Sequence, residues 1–354
     1  MEIEETNVTM VTTPESPQAT GELIIRALTF YVAPVISIVG ILGNSVAIVA
    51  MTSMPTTSWL LYILGWNIAQ TIHLLSLLDT WASNIGFGIY AVIGGWCQLV
   101  TFLSRASDFL VLWYAVLFGL DLWVRTHVRG KYADYFCSAS FARLLIISFN
   151  IIAIIVYVNV SIAFGEYYVP NRSAPICVEI PGFNDVLRRL KIADAFFDSF
   201  IPLASLSFCV VSIALTTDLN CQTPTLSSCD TNATRRRDKM EGREIESIFM
   251  KNDGNRCALV MLSAFLIFNL PVHLFSDFLA IKSLIGGGIM TLDNFLTQQA
   301  LLQLKHVNQA STFVLLLASS ALFRKSLRSL WNRSRRRKTE KNISCHEQMN
   351  DFIA

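Results

Sequence analysis

Nine ionisable side chains interrupt stretches of this sequence that are otherwise apolar: Asp79, Arg105, Asp108, Asp194, Asp198, His273, Asp277, Lys305 and His306. A charge in hydrocarbon is expensive, so such residues mark functional positions unless they pair with one another. Asp194 and Asp198 stand four residues apart and Arg105 and Asp108 three apart, so each pair shares one face of a helix. Five aspartates outnumber the two fixed cations, Arg105 and Lys305. The surplus negative charge favours a ligand that carries a cation, such as a basic or arginine-containing peptide, while Arg188, Arg189 and Lys191 argue the other way. The competing expectation is internal pairing, Arg105 with Asp108 or Lys305 with a carboxylate, which satisfies the charges without a ligand. His73, His273 and His306 are far apart in the chain, and the eight cysteines form no CxxC or Cys/His pattern, so no metal is expected. Neither GxSxG nor HExxH is present, nor a phosphate loop or dinucleotide fingerprint, so the expectation is a protein that is not an enzyme, with no cofactor and no nucleic-acid partner.

The elements that hold these groups follow from composition. Of the 354 residues, 53% are apolar and only 15% charged, against about 25% charged in soluble domains. Seven apolar runs, at about 28–52, 60–84, 97–124, 142–165, 193–217, 256–281 and 295–321, each reach the roughly 20 residues that cross a bilayer as a helix. The expected fold is therefore an all-α membrane protein, a bundle of seven transmembrane helices. Cytoplasmic loops retain Lys and Arg, and 20 of the 28 such residues fall after the third span, after the fifth span or from Arg324 onward. That bias places the N-terminal tail, residues 1–27, outside the cell. Residues 218–255 become the third intracellular loop, 322–331 a short amphipathic cytoplasmic helix, and 332–354 a cytoplasmic tail. The basic run at 333–338 would hold that tail against anionic lipid. The glycosylation sequons at Asn7 and Asn171 lie on the outer side, as do Cys97 in GGWCQL and Cys177 in APICVEI, where an oxidising exterior permits a bridge between two otherwise free thiols.

The order of several local patterns resembles the rhodopsin-class G protein-coupled receptors, in a divergent invertebrate peptide-receptor-like or chemosensory-like branch, over about residues 28–330. GILGNSVAIVAM holds Asn44 where that family has its signature asparagine, and Cys97 and Cys177 match its disulfide. Phe200-Ile201-Pro202, and Phe265 followed by FNLP ending in Pro271, match its two signature prolines. Asn308 in HVNQAS and FRKSLRSLW from Phe323 match the end of the seventh helix and the helix after it. The resemblance implies a plasma-membrane receptor that binds an extracellular ligand and signals through a heterotrimeric G protein.

The departures from that pattern fall on its switching residues. Asn67-Ile68-Ala69 places Ile72 at the family's sodium-binding aspartate. The Asp/Glu-Arg-Tyr triplet reads Asp121-Leu122-Trp123; Arg125, three residues beyond Leu122, is a candidate to substitute in part for the lost arginine, although a 100° helical step turns it toward another face. Asn269 replaces a toggle tryptophan, and Thr312-Phe313-Val314-Leu315-Leu316 replaces Asn-Pro-x-x-Tyr. Ser104 stands where aminergic relatives keep a ligand-binding aspartate, so amine recognition of that kind is not expected. The ligand-binding set is accordingly Ser104, Arg105, Asp108, Asp194, Asp198, Asn269, His273, Asp277 and Lys305; the coupling set is Asn44, Asp121, Arg125, Phe265, Pro271 and Asn308. A membrane scaffold or heteromer partner is the alternative, with a transporter or channel behind it. For those last two a polar stripe from face to face is wanted, whereas only Asp121 lies deep toward the cytoplasm.

Overall fold

The computed structural model describes residues 27–87, 90, 93–128, 130–168, 175–183, 192–221, 237–286 and 291–332, together with 21, 23 and 335; residues 181, 217–221, 237–255, 283–286 and 292 are described in backbone only. Asn7, Asn171, Arg188, Arg189 and Lys191 lie outside the described residues. The long helices are α1 (Leu28–Thr52), α2 (Ser58–Asn84) and α3 (Trp96–His127). A short α4 (Lys131–Phe136) precedes α5 (Ala139–Ile162), and the hairpin β1 (Phe164–Tyr167) with β2 (Ile176–Glu179) follows. Then come α6 (Ile192–Thr216 within a helix that ends at Cys221), α7 (Arg237–Gly286), α8 (Leu292–Ser319) and α9 (Ala321–Asn332). Six of these helices are long and apolar enough to cross a membrane, and α8 with α9 meets the same measure only as a pair bent by 95°.

The distribution of side chains is that of a bundle set in lipid. On α1, Val35, Val39, Leu42 and Val49 point outward at 57–63% exposure, while Ser37, Asn44, Ala47 and Ala50 are fully buried. On α5, Leu144, Ile147, Ile151 and Ile155 are likewise exposed. Apolar residues outside and small or polar residues within suit a solvent of acyl chains, in which helices associate through close packing and interhelical hydrogen bonds. The chain is thus a helical, multi-pass membrane protein. Gly40 shows the close packing at its tightest: a Cβ there would lie 2.6 Å from Leu74 Cδ1 and 2.9 Å from the Ala310 backbone. That approach brings Asn44, one turn on, within 3.2 Å of the Gln309 carbonyl of α8.

Two prolines shape two helix starts in the same way. A π turn, Leu28–Val32, runs up to Pro34, and another, Ala195–Phe200, runs up to Pro202. Proline lacks the N–H that would meet a carbonyl one turn back, and lipid offers no replacement. In both helices an indole from a neighbour supplies it: Trp81 Nε1 on α2 donates to Phe30 O at 2.9 Å, and Trp113 Nε1 on α3 donates to Phe197 O at 3.1 Å.

One boundary differs from the sequence reading. Part of the 218–255 segment expected as loop is helical, because α7 begins at Arg237. Lys239, Met240, Glu241, Arg243 and Glu244 are good helix formers and extend the apolar span beyond its hydrophobic limit. After α8 the chain turns sharply into α9, where Phe323 is buried against Phe313, Arg324 Nη1 caps the carbonyls of Leu317 and Ala318, and Ser326 Oγ reaches Ala50 O of α1 at 2.8 Å. A cation at a helix C-terminus satisfies carbonyls that the helix leaves open.

Candidate functional site

A disulfide between Cys97 and Cys177 joins the first turn of α3 to β2. Gly95, with φ of 81°, turns the chain into α3, and Asp79 accepts from Trp96 Nε1 at 3.1 Å. Glu166 pairs with Cys177 across the hairpin, so the α5–α6 connection is anchored on the end of α3. Beside this anchor, burial pushes the Tyr90 hydroxyl above its ordinary range.

Two charged groups lie deeper. At 1.5 Å per residue Asp108 sits about 16 Å along α3 from Cys97. Lys305 of α8 places its Nζ 2.5 Å from both Asp108 carboxylate oxygens. Of the two internal pairings weighed from the sequence, this is the one formed; Arg105 is exposed on the adjoining face of α3. Distance in sequence concealed the better partner, since Asp108 and Lys305 are 197 residues apart. His73 Nδ1 stands 3.2 Å from the Ser104 carbonyl, its ring 5.9 Å from that of His306, and His273 is near enough to feel both members of the ion pair. Two histidines that looked unrelated in sequence are therefore neighbours between α2 and α8.

The second group joins α5 to α6. Tyr157 is 1% exposed, and its hydroxyl donates toward Asp194 Oδ1 at 3.1 Å and Asp198 Oδ2 at 2.5 Å. The shared face expected for Asp194 and Asp198 is present, and both meet one phenol. A single tyrosine in an Ile/Val-rich span carries no spacing signal, so the sequence alone does not single out Tyr157. A phenol has one proton, so it cannot fully serve two carboxylates at once. Asp198 Oδ1 has no partner among the described residues. Asp277 lies one turn beyond His273 on α7 and is partly exposed.

The opposite end of α3 carries a different network. Arg125 Nε donates to Asp121 Oδ2 at 2.9 Å, and its Nη2 reaches Ser58 Oγ at 2.6 Å and Cys137 O at 3.0 Å. Ser58 Oγ in turn donates to Asp121 Oδ1 at 2.6 Å. Arg125 thus meets the retained acid even though it does not occupy the position of Leu122. It stands four residues from Asp121, and an i, i+4 spacing puts the two side chains on one face. Burial first, and then the Asp121 carboxylate, push the neighbouring Cys137 thiol up to about 12, which leaves it protonated and unreactive at neutral pH.

Ile72, which the local pattern sets at the family's sodium-binding aspartate, is not the residue of α2 that meets α8. It is only partly buried, whereas Gln70 is fully buried and accepts from Thr312 Oγ1 of α8 at 2.9 Å. Asn269 is buried and donates to Phe265 O on its own helix at 2.8 Å, and Phe265 stacks edge-on to Trp66 of α2, centroids 5.3 Å apart. No protein-family model and no curated protein matches the chain.

Proposed function

We propose that the chain is a receptor of the rhodopsin class with seven spans and an outside N-terminus, which binds a cation-bearing extracellular ligand, such as a basic peptide, and signals to a heterotrimeric G protein across the plasma membrane. The observation that carries this reading is the state of the acidic residues. Asp108 already has its cation in Lys305, and Asp121 has its own in Arg125. Asp194 and Asp198 share a single phenolic proton. The ligand's positive group is therefore assigned to the α6 pair, away from Ser104 on α3. On this reading the Cys97–Cys177 end faces outward, Asn7 and Asn171 accept glycans, and α9 is the amphipathic cytoplasmic helix lying on the lipid surface. The Arg125–Asp121–Ser58 network takes the place of the triplet in which Leu122 replaces arginine, at the face where a G protein would dock. Asn269, Thr312 and Leu122 support a second reading, a membrane scaffold or heteromer partner without an exchange-driving switch.

The test is a library of basic, neutral and acidic peptides applied to cells that display the chain at their surface, read by second messenger and by arrestin recruitment. Basic peptides are expected to evoke the response, and Asp198→Asn to weaken it about tenfold or more, in line with the loss of a charge-assisted bond of 1.5–3 kcal/mol, roughly, in a dry site. Preferential response to acidic peptides with Asp198→Asn inert would overturn the ligand assignment. Silence toward the whole library despite surface display favours the scaffold.

A further inference from the structure

A cluster of neutral side chains lies where α1, α2 and α8 meet, and of these the receptor reading names only Asn44 and Asn308, as coupling residues, without saying what the cluster encloses. Asn44, Asn67, Gln70, Asn308, Gln309 and Thr312 are each no more than 2% exposed. They are linked by the bond from Asn44 Nδ2 to Gln309 O and by that from Thr312 to Gln70. Asn67 stands one turn from Gln70, and Asn308 one turn from Thr312, on the same faces. Yet six of their atoms meet no partner among the described residues: the oxygens Asn44 Oδ1, Asn67 Oδ1 and Gln309 Oε1, and the nitrogens Gln70 Nε2, Asn308 Nδ2 and Gln309 Nε2. An unmet buried polar atom is costly, and an accumulation at one place calls for an occupant.

We infer that this cage of amides holds a small cluster of water molecules in preference to a metal cation. The identity of the atoms decides between the two. Three amide orientations are fixed by their bonded partners: Asn44 Nδ2 donates to Gln309 O, Asn67 Nδ2 to Ile63 O, and Gln70 Oε1 accepts from Thr312. Unmet donors and acceptors are therefore mixed. A hard cation needs oxygens on all sides, and the N–H groups would repel it. No side chain of the cage is ionised, and the carboxylates of α3 are held by Lys305 and Arg125. Water both gives and takes hydrogen bonds and needs two to four polar partners, so about two or three molecules would satisfy the set. Three helices are then joined in part through exchangeable bonds.

Thermal unfolding of the purified full-length chain in lipid nanodiscs tests this. Gln309→Met keeps shape and removes two unmet atoms. In a dry cage the melting temperature rises; in a hydrated one the waters lose partners and it falls by about 2–4 °C. A fall supports the inference, and an unchanged or higher value overturns it. Asn308→Leu poses the same question should Gln309→Met not fold. Unfolding of the unaltered chain in sodium chloride and in choline chloride of equal ionic strength is expected to coincide, and a saturable rise specific to sodium would instead assign the cage to a cation.

Discussion

Tyr157 illustrates how much one polar tip can decide inside a bundle. Its ring belongs to an apolar layer with Phe109, centroids 5.8 Å apart, while its hydroxyl reaches both Asp194 and Asp198. Tyr157→Phe keeps the layer and removes the donor. Two partly buried carboxylate groups then lose a partner, and a loss of about 1–3 kcal/mol is expected, measured as a lower unfolding temperature in nanodiscs. Surface display with unaltered stability would mean that the two carboxylates find water. The same scale explains Cys137, whose thiol donates toward Asp121 O at 3.5 Å and is shielded from the chemistry that its part exposure would otherwise invite.

At the scale of elements, the repeated pairing of a proline with a foreign indole is the device that lets α1 and α6 begin with π turns inside a membrane. Each tryptophan fixes the rotation of a helix as well as one carbonyl, because the π turn inserts an extra residue before the following α-helical run. Trp113 holds the carbonyl of Phe197, the residue before Asp198, within the turn that presents Asp194 and Asp198 to Tyr157. Trp81→Phe and Trp113→Phe are each expected to cost about 1 kcal/mol in thermal unfolding. Only Trp113→Phe should also lower the response to the cationic ligand, since Trp81 anchors α1 and touches neither acidic residue. Equal loss of response from both would sever the link between the α6 turn and the site.

For the whole molecule, the Lys305–Asp108 pair ties α8 to α3 across 197 residues. Removing one partner strands a charge and is expected to cost about 3–5 kcal/mol, whereas replacing both with apolar residues costs far less. In a double-mutant cycle with Lys305→Met and Asp108→Leu, the pair should be less destabilised than the sum of the singles by a coupling of at least about 1 kcal/mol. Additive effects would show that the two groups are satisfied independently by water.

Membrane character and the places of six long apolar helices were legible in the sequence because they depend only on local composition: a run of about 20 apolar residues must form its own hydrogen bonds wherever it lies in a bilayer. The Asp194–Asp198 face was legible for the same reason, since helical pitch alone sets it. The Cys97–Cys177 bridge was open between pairing and free thiols until the hairpin brought β2 onto α3. The tertiary structure alone decided that Lys305 and not Arg105 meets Asp108, that Gln70 and not Ile72 faces the interior, and that Tyr157 meets the two aspartates. Each of these depends on how one helix is rotated against another. That rotation is fixed by Gly40, by the prolines and by the indoles that answer them, through contacts between residues far apart in the chain.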